Sequence, residues 1–188
     1  YMDIKAFKMD GLGNDFVIID RRKEDVSLSK EQIIKIGNRN NVGFDQIIFI
    51  EKKINDAFPI KIFNPDGVEV GACGNGSRCI AYLISKENNQ KKIKLEADKR
   101  ILEAEILSEK MVKINMGFTK FKGWKDIPLI EGLDPRKVSI DFLKKEYGLG
   151  YCVNIGNPHI VFFVKDCEKV DIEKIGPKIE NHHYFPER

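Results

Sequence analysis

The run Cys79-Ile80-Ala81-Tyr82-Leu83-Ile84 constrains this chain more than any other stretch. It lies inside a segment of helical character, residues 75–86, and is apolar around most of a helical wheel. A helix of that kind cannot rest on a surface with one wet face, so other elements have to enclose it. Those elements are legible on both sides. Downstream, Lys92–Ala97, residues 101–106 and residues 112–116 alternate apolar with polar, as in Val112-Lys113-Ile114-Asn115-Met116. Period-2 alternation marks strands with one buried and one wet face. Upstream, residues 4–20 read as two strands broken by a tight turn at Gly11-Leu12-Gly13-Asn14. The second of them, Phe16-Val17-Ile18-Ile19-Asp20, is a continuous apolar run of strand length. Residues 46–51 and Phe58–Phe63 add further strands, and the position of Gln46 at the head of one suggests an edge residue. Between them, Ser29 with Gln32 three residues on signals a capped helix with Ile33, Ile34 and Ile36 as its apolar face, ending at Gly37 and Asn38. The pattern predicts an α+β fold, a mixed and mostly antiparallel sheet wrapped around a central helix.

That architecture is complete by about residue 118, and residues 119–135, richer in Gly, Pro and Lys, mark a crossover. The expected organisation is one complete domain, residues 1–118, followed by the start of a second similar domain, residues 119–188, which does not complete a core of its own. In the second part, residues 138–142 and 151–154 read as the first strands, residues 160–164 as the strongest strand, and Ile172–Glu180 as a short helix.

Composition excludes several classes of function. With 42% hydrophobic and 32% charged residues the chain is globular in character. Its 32 basic and 29 acidic residues are interspersed, giving a net charge of +3 with no basic block, so nucleic acid is not an implied partner. No apolar run is long enough to span a bilayer, and no charged segment followed by an apolar stretch opens the chain as an export signal. The four cysteines, Cys73, Cys79, Cys152 and Cys167, match neither a disulfide scaffold nor a paired zinc site, so no metal is implied. Free thiols and a cytoplasmic location are the corresponding expectation. Cys79, Cys152 and Cys167 lie in or beside apolar segments and read as core.

Cys73 differs from the other three. In Asn64-Pro65-Asp66-Gly67-Val68-Glu69-Val70-Gly71-Ala72-Cys73-Gly74-Asn75-Gly76-Ser77-Arg78-Cys79, a strand ends in a polar turn and Cys73 then stands immediately before a glycine-rich helix start. Helix N-termini carry unpaired N–H groups and the positive end of the macrodipole, which stabilise a thiolate and can hold a carboxylate. Gly74 and Gly76 would let a ligand approach the backbone. A buried structural cysteine beside a glycine turn is the competing explanation. Gly11-Leu12-Gly13-Asn14-Asp15-Phe16 resembles half a dinucleotide fingerprint but lacks the third glycine and precedes a strand. In Gly156-Asn157-Pro158-His159, Asn157 can donate to and accept from an amino-acid head group, and His159 can tune a neighbouring thiol.

Taken together, Lys8-Met9-Asp10-Gly11-Leu12-Gly13-Asn14-Asp15-Phe16, Gly43-Phe44-Asp45-Gln46, Ile62-Phe63-Asn64-Pro65-Asp66-Gly67, residues 73–79 and Gly156-Asn157-Pro158-His159 resemble, in order and spacing, the motifs of the diaminopimelate epimerase family. The resemblance implies two similar domains, each a sheet around a central helix, with the active site between them. It also implies inversion of an amino-acid α-carbon without pyridoxal phosphate or another cofactor, by two cysteines on opposite faces of that carbon. By the same resemblance Cys73 is the first of the two thiols. Asn14, Gln46, Asn64 and Asn157 bind substrate, the Gly74 and Asn75 amides hold the reacting carboxylate, and His159 modulates a thiol. The implied partner is a small amino-acid substrate, and homodimer formation stays open.

Two features depart from the family pattern. Asp10 stands where the family usually has His, and no second Cys-Gly motif follows Cys73-Gly74. The corresponding expectation is that these 188 residues are catalytically inactive by themselves. The alternatives are another cofactor-independent racemase of the same fold, of histidine or proline type or a phenazine-biosynthesis-type isomerase, a thiol-redox or metal-binding module built on Cys73 and Cys79, and a non-catalytic binding or dimerisation module.

Overall fold

The computed structural model describes residues 3–121, 123 and 125–187, so the outer ends of the two expected domain spans, residues 1 and 188, lie outside the described residues. Two compact units make up the chain, Tyr1–Gly117 and Phe118–Arg188.

The first unit opens with a hairpin. Strands β1 (Phe7–Gly11) and β2 (Asn14–Asp20) pair antiparallel through a two-residue loop in which Leu12 and Gly13 both take positive φ, 58° and 83°. That is the turn whose twist matches a right-twisted hairpin. Helix α1 (Lys30–Gly37) follows, and its start is a full capping box: Gln32 N–H donates to Ser29 Oγ at 3.2 Å and Ser29 N–H to Gln32 Oε1 at 2.7 Å. This short helix packs against the sheet through Ile33, with Ile36 partly buried beside it. Ile33 and Gly37, one turn apart, are buried, whereas Ile34, a hundred degrees round, is 45% exposed and not part of the packed face.

Strand β3 (Gln46–Ile50) runs parallel to β2, and β4 (Phe58–Phe63) returns antiparallel to β3. A two-residue strand β5 (Glu69–Val70) pairs with β4 and leads into helix α2 (Gly74–Asn88). Strands β6 (Lys92–Ala97), β7 (Arg100–Ser108) and β8 (Met111–Asn115) form an antiparallel meander, joined to the rest where β6 pairs parallel with β4. The result is an eight-stranded sheet in the order β1-β2-β3-β4-β6-β7-β8, with β5 beside β4. The sheet curls around α2, which touches β1, β2 and β3 on one side and β6, β7 and β8 on the other. The fold is therefore α+β, with a mixed, mostly antiparallel sheet around a central helix.

The helix face explains the enclosure. Cys79, Ile80, Ala81 and Ile84 are buried among Phe16, Ile18, Ile48, Ile50, Ile60 and Ile62 from the first strands and Ile93, Leu95, Leu102 and Ala104 from the meander. Burying each large aliphatic side chain contributes about 1.5–3 kcal/mol. Strands β2 and β3 are apolar along their whole length because both faces are covered: Val17, Ile19, Ile47 and Phe49 point the other way, against Ile33, Phe44 and Val26. This also corrects the edge assignment of Gln46, since β3 lies between β2 and β4.

The second unit contains helix α3 (Lys144–Tyr147), the hairpin β9 (Gly150–Asn154) and β10 (Pro158–Phe162), and helix α4 (Ile172–Glu180). Its core gathers Ile127, Leu129, Val138, Ile140, Leu143 and Cys152. Three sequence expectations change here. Residues 138–142 make only one bridge, Val138 with Gly150, because the Ile140 carbonyl accepts from the Leu143 and Lys144 amides and bends the chain into α3. The last strand begins at Pro158 and stops at Phe162, since Phe162 pairs with Gly150, where β9 begins, and later residues have nothing there to pair with. Cys167 is exposed in a short 3-10 turn capped by Asp166, with charged neighbours Glu168 and Lys169, and is not core. Among the described residues no helix is long and apolar enough to cross a membrane.

Candidate active site

The site is organised by the first turn of α2. Cys73 is the helix N-cap, with extended backbone (φ −151°, ψ 103°), and its Sγ accepts from the Gly76 N–H at 3.3 Å. Its carbonyl accepts from the Ser77 amide at 2.9 Å and so begins the helical ladder. A sulfur thus takes the place that a serine or aspartate oxygen usually fills at a helix start.

Two carboxamides face that sulfur. Asn14, first residue of β2, places Oδ1 3.8 Å from Cys73 Sγ, and Gln46, first residue of β3, places Oε1 at 3.7 Å. The parallel pairing of β2 with β3 aligns Phe16 with Gln46, which brings the heads of both strands to the α2 N-terminus. Asn75 Nδ2 donates to Asn14 Oδ1 at 3.3 Å, and Gln46 Nε2 donates to Asn64 Oδ1, just beyond β4, at 3.4 Å. Asn14, Gln46, Asn64, Cys73, Gly74 and Asn75 therefore form one cluster, although 61 positions separate Asn14 from Asn75. Asn157 and His159 belong to the second unit, in the bend and first residues of the β9–β10 hairpin, where the Asn157 carbonyl lies 3.1 Å from His159 Nδ1 and both side chains are exposed.

The electrostatics depart from the sequence expectation. The Gly76 and Asn75 amides and the Arg78 charge do favour a thiolate at Cys73, but burial outweighs them and holds the thiol above its ordinary value. The nearby Asp45 carboxylate pushes the same way. Two carboxamide oxygens facing the sulfur likewise suit an S–H donor better than an anion. Burial lifts Cys79 further, to about 11.

The two glycines after Cys73 also differ from each other. A Cβ on Gly74 would meet only Met116 at ordinary contact distance, leaving room beside the backbone. A Cβ on Gly76 would sit 2.4 Å from Ile48 Cδ1, 3.3 Å from Phe16 Cε1 and 3.4 Å from Cys73 Sγ. Gly76 is therefore required by core packing rather than by ligand approach. Gly76→Ala is expected to destabilise the chain by about 1–3 kcal/mol despite alanine's better helix propensity, because Ile48 and Phe16 are fully buried and cannot yield freely. Urea titration measures this, and an unchanged midpoint would contradict it.

A charged layer supports the carboxamides. Asp45 Oδ2 accepts from Asn14 Nδ2 at 2.8 Å and from the Asp15 amide at 3.0 Å. Arg39 donates to both oxygens of Asp15, at 2.7 and 2.8 Å, and to Asp45 Oδ1 at 2.7 Å, while Lys8 donates to Asp15 at 2.7 Å. At the other end the Arg78 guanidinium donates to Asn75 Oδ1. Sequence reading assigns none of these charged residues a role. Asp15, Asp45 and Arg78 stand inside the quoted motifs beside residues that were singled out, whereas Arg39 carries no local signal. Among the described residues no group of three or more His, Cys, Asp or Glu side chains could hold a metal, and all four cysteines are unpaired.

Comparison with known proteins places the sequence in a family. The sequence model for diaminopimelate epimerase matches residues 6–122. The diaminopimelate epimerase of Pelagibacter ubique is 49% identical across all of this chain and 69% of its own length. That of Acidiphilium cryptum is 41% identical across 96% of this chain and 65% of its own length. The chain thus spans about two thirds of the curated relatives it matches. Among solved structures, a predicted epimerase from Pseudomonas aeruginosa superimposes with a TM-score of 0.58 over 94% of this chain and 67% of that one. At 14% identity this likeness concerns the fold alone.

Proposed function

Since this chain belongs to the diaminopimelate epimerase family, we propose that it provides one of the two acid/base thiols, Cys73, in a cofactor-independent isomerase that converts L,L-diaminopimelate to the meso form. The observation that carries this reading is the cluster at α2: a half-buried thiol capping a helix, faced by the carboxamides of Asn14 and Gln46, with Asn75 held against Asn14.

The chemistry demands such a setting. An α-proton beside a carboxylate is very weakly acidic, so catalysis has to come from placed donors, water exclusion and a pair of pre-set proton carriers. The Gly74 and Asn75 amides, at the positive end of a 15-residue helix, are suited to hold the reacting carboxylate and to stabilise the charge that builds on it as the proton leaves. Burial keeps Cys73 mostly as a thiol, the form that delivers a proton to the carbanion. In the reverse direction its thiolate removes the proton, helped by the Gly76 and Asn75 amides that point at the sulfur. Asn14, Gln46 and Asn64 offer oxygen and nitrogen atoms to the amino and carboxyl groups of a two-headed amino acid. Asn157 and His159 keep, in this proposal, the substrate-binding and thiol-tuning roles that the motif resemblance implies. A homodimer stays a proposal without further support.

Inversion takes two thiols, and the other cysteines do not resemble Cys73. Cys79 and Cys152 are buried in the two cores, and Cys167 is exposed on a charged turn. The 188 residues alone are expected to give no turnover. The test is proton NMR of L,L-diaminopimelate in heavy water, with this chain and with a chain of the relatives' full length. Loss of the α-proton signal with the longer chain only is the expected result, and turnover by the 188 residues would overturn the two-thiol account. Exchange with a simple amino acid but not with diaminopimelate would favour the racemase alternative.

A further inference from the structure

We propose that Asp45 is a positioning residue: its carboxylate fixes which way round the Asn14 carboxamide sits, so that Asn14 turns its oxygen and not its amino group to the Cys73 sulfur. For the kinetic part of its test this rests on the epimerase reading above.

A carboxamide is nearly symmetrical in shape, so packing alone does not choose between its two orientations. Hydrogen-bond partners choose, and they choose firmly only when they cannot switch role. Asn14 is held in that way from both sides. Its Nδ2 faces Asp45 Oδ2 at 2.8 Å, and an ionised carboxylate can only accept. Its Oδ1 faces Asn75 Nδ2 at 3.3 Å, and the sense of Asn75 is fixed in turn by Arg78, whose guanidinium can only donate. Turning Asn14 over would set an oxygen against a carboxylate and an amino group against an amino group. The same fixed sense reaches Gln46, whose Oε1 accepts from Asn14 Nδ2 at 3.4 Å and whose Nε2 is thereby directed to Asn64.

Asp45 itself is well braced. Besides Asn14 it accepts from the Asp15 amide at 3.0 Å, and its other oxygen accepts from Arg39 at 2.7 Å. Its own backbone amide donates to the Asp15 carbonyl at 2.9 Å and to Asp15 Oδ1 at 3.0 Å. An ion pair spanning the β1–β2 hairpin and the approach to β3 thus ends in one oxygen aimed at one amino group. The consequence for chemistry is that both groups facing Cys73 Sγ are acceptors, Asn14 Oδ1 at 3.8 Å and Gln46 Oε1 at 3.7 Å.

Two variants separate this role from a steric one. Asp45→Asn keeps the size of the side chain but can offer an amino group to Asn14. Asp45→Glu is one methylene longer but still only accepts. If acceptor character is what matters, Asp45→Glu in a chain of the relatives' full length retains most of the activity. Asp45→Asn then loses on the order of ten- to a hundredfold in kcat/KM for α-proton exchange, with Tm within about 3 °C of the parent. If Asp45 merely fills space, the isosteric Asn variant is the milder of the two, and that order overturns the proposal. A second readout needs no catalysis. In the parent 188-residue chain, one Asn14 side-chain N–H proton should resonate downfield and exchange slowly with solvent, and Asp45→Asn should abolish both. An Asn14 signal that is ordinary in the parent, or that survives unchanged in the variant, overturns the proposal. Should no full-length chain exchange the α-proton while the Asn14 signal behaves as described, the epimerase reading fails and the positioning of Asn14 by Asp45 stands.

Discussion

Cys73→Ser in a chain of the relatives' full length is expected to lower α-proton exchange by about a thousandfold or more while leaving stability close to that of the parent. The first half follows from the role: a positioned proton carrier contributes roughly 10²–10⁴-fold, and a serine hydroxyl is a far weaker acid than a thiol. The second half follows from the cap. Serine keeps an acceptor where Cys73 Sγ takes the Gly76 N–H, and serine is a preferred N-cap residue. Cys73→Ala loses the thiol and the cap together. It should match the serine variant in activity but fall below it in stability by about 0.5–2 kcal/mol. Proton NMR in heavy water measures the first quantity and urea titration the second. Retained exchange in Cys73→Ser would remove Cys73 from the chemistry. Equal stability of the Ser and Ala variants would show that the sulfur does not cap α2.

Ile80→Ala should destabilise the first unit strongly, by about 2–5 kcal/mol. Ile80 is fully buried at the middle of α2, enclosed by residues from both the leading strands and the meander. The sheet around it is hydrogen-bonded along its length and cannot collapse into the space left behind, so the cavity cost adds to the lost transfer energy. Leu83, on the same helix but only half-buried, should cost markedly less when truncated. With total stabilities of about 5–15 kcal/mol typical, Ile80→Ala could bring the unit near its unfolding midpoint. The site would then fail without any of its residues having been touched, because the Cys73 cap depends on α2 being formed. Denaturant midpoints for the two variants test this, and a Leu83→Ala loss equal to that of Ile80→Ala would show that α2 is not enclosed in the way described.

The residues of the proposed site were legible in the sequence to different degrees. Cys73 announced itself through local grammar, a strand end and a glycine-rich helix start, and the observed N-cap is that grammar realised. Ser29 and Gln32 did the same for α1. Asn14, Gln46 and Asn64 had no such grammar, and only the family resemblance singled them out. The structure brings them together through strand register, with β2 and β3 parallel and β4 returning beside them. Asp45, Asp15 and Arg39 stayed silent because a charged residue on a loop reads the same whether it meets solvent or a carboxamide partner far along the chain.

Local pattern settled what could be settled by neighbours a few positions apart. The apolar wheel of residues 79–84 required an enclosing sheet, and the alternation of the meander set which faces of that sheet turn inward, because both depend only on how a side chain points relative to its own backbone. Three further properties were decided by tertiary packing alone. One is the interior place of β3, which depends on which strand ends up beside which. Another is the steric need for glycine at 76, which exists only once Ile48 and Phe16 arrive beside it. The last is the balance at Cys73, where the helix amides visible in the sequence favour a thiolate but burial, which no local pattern measures, outweighs them and keeps the proton on the sulfur.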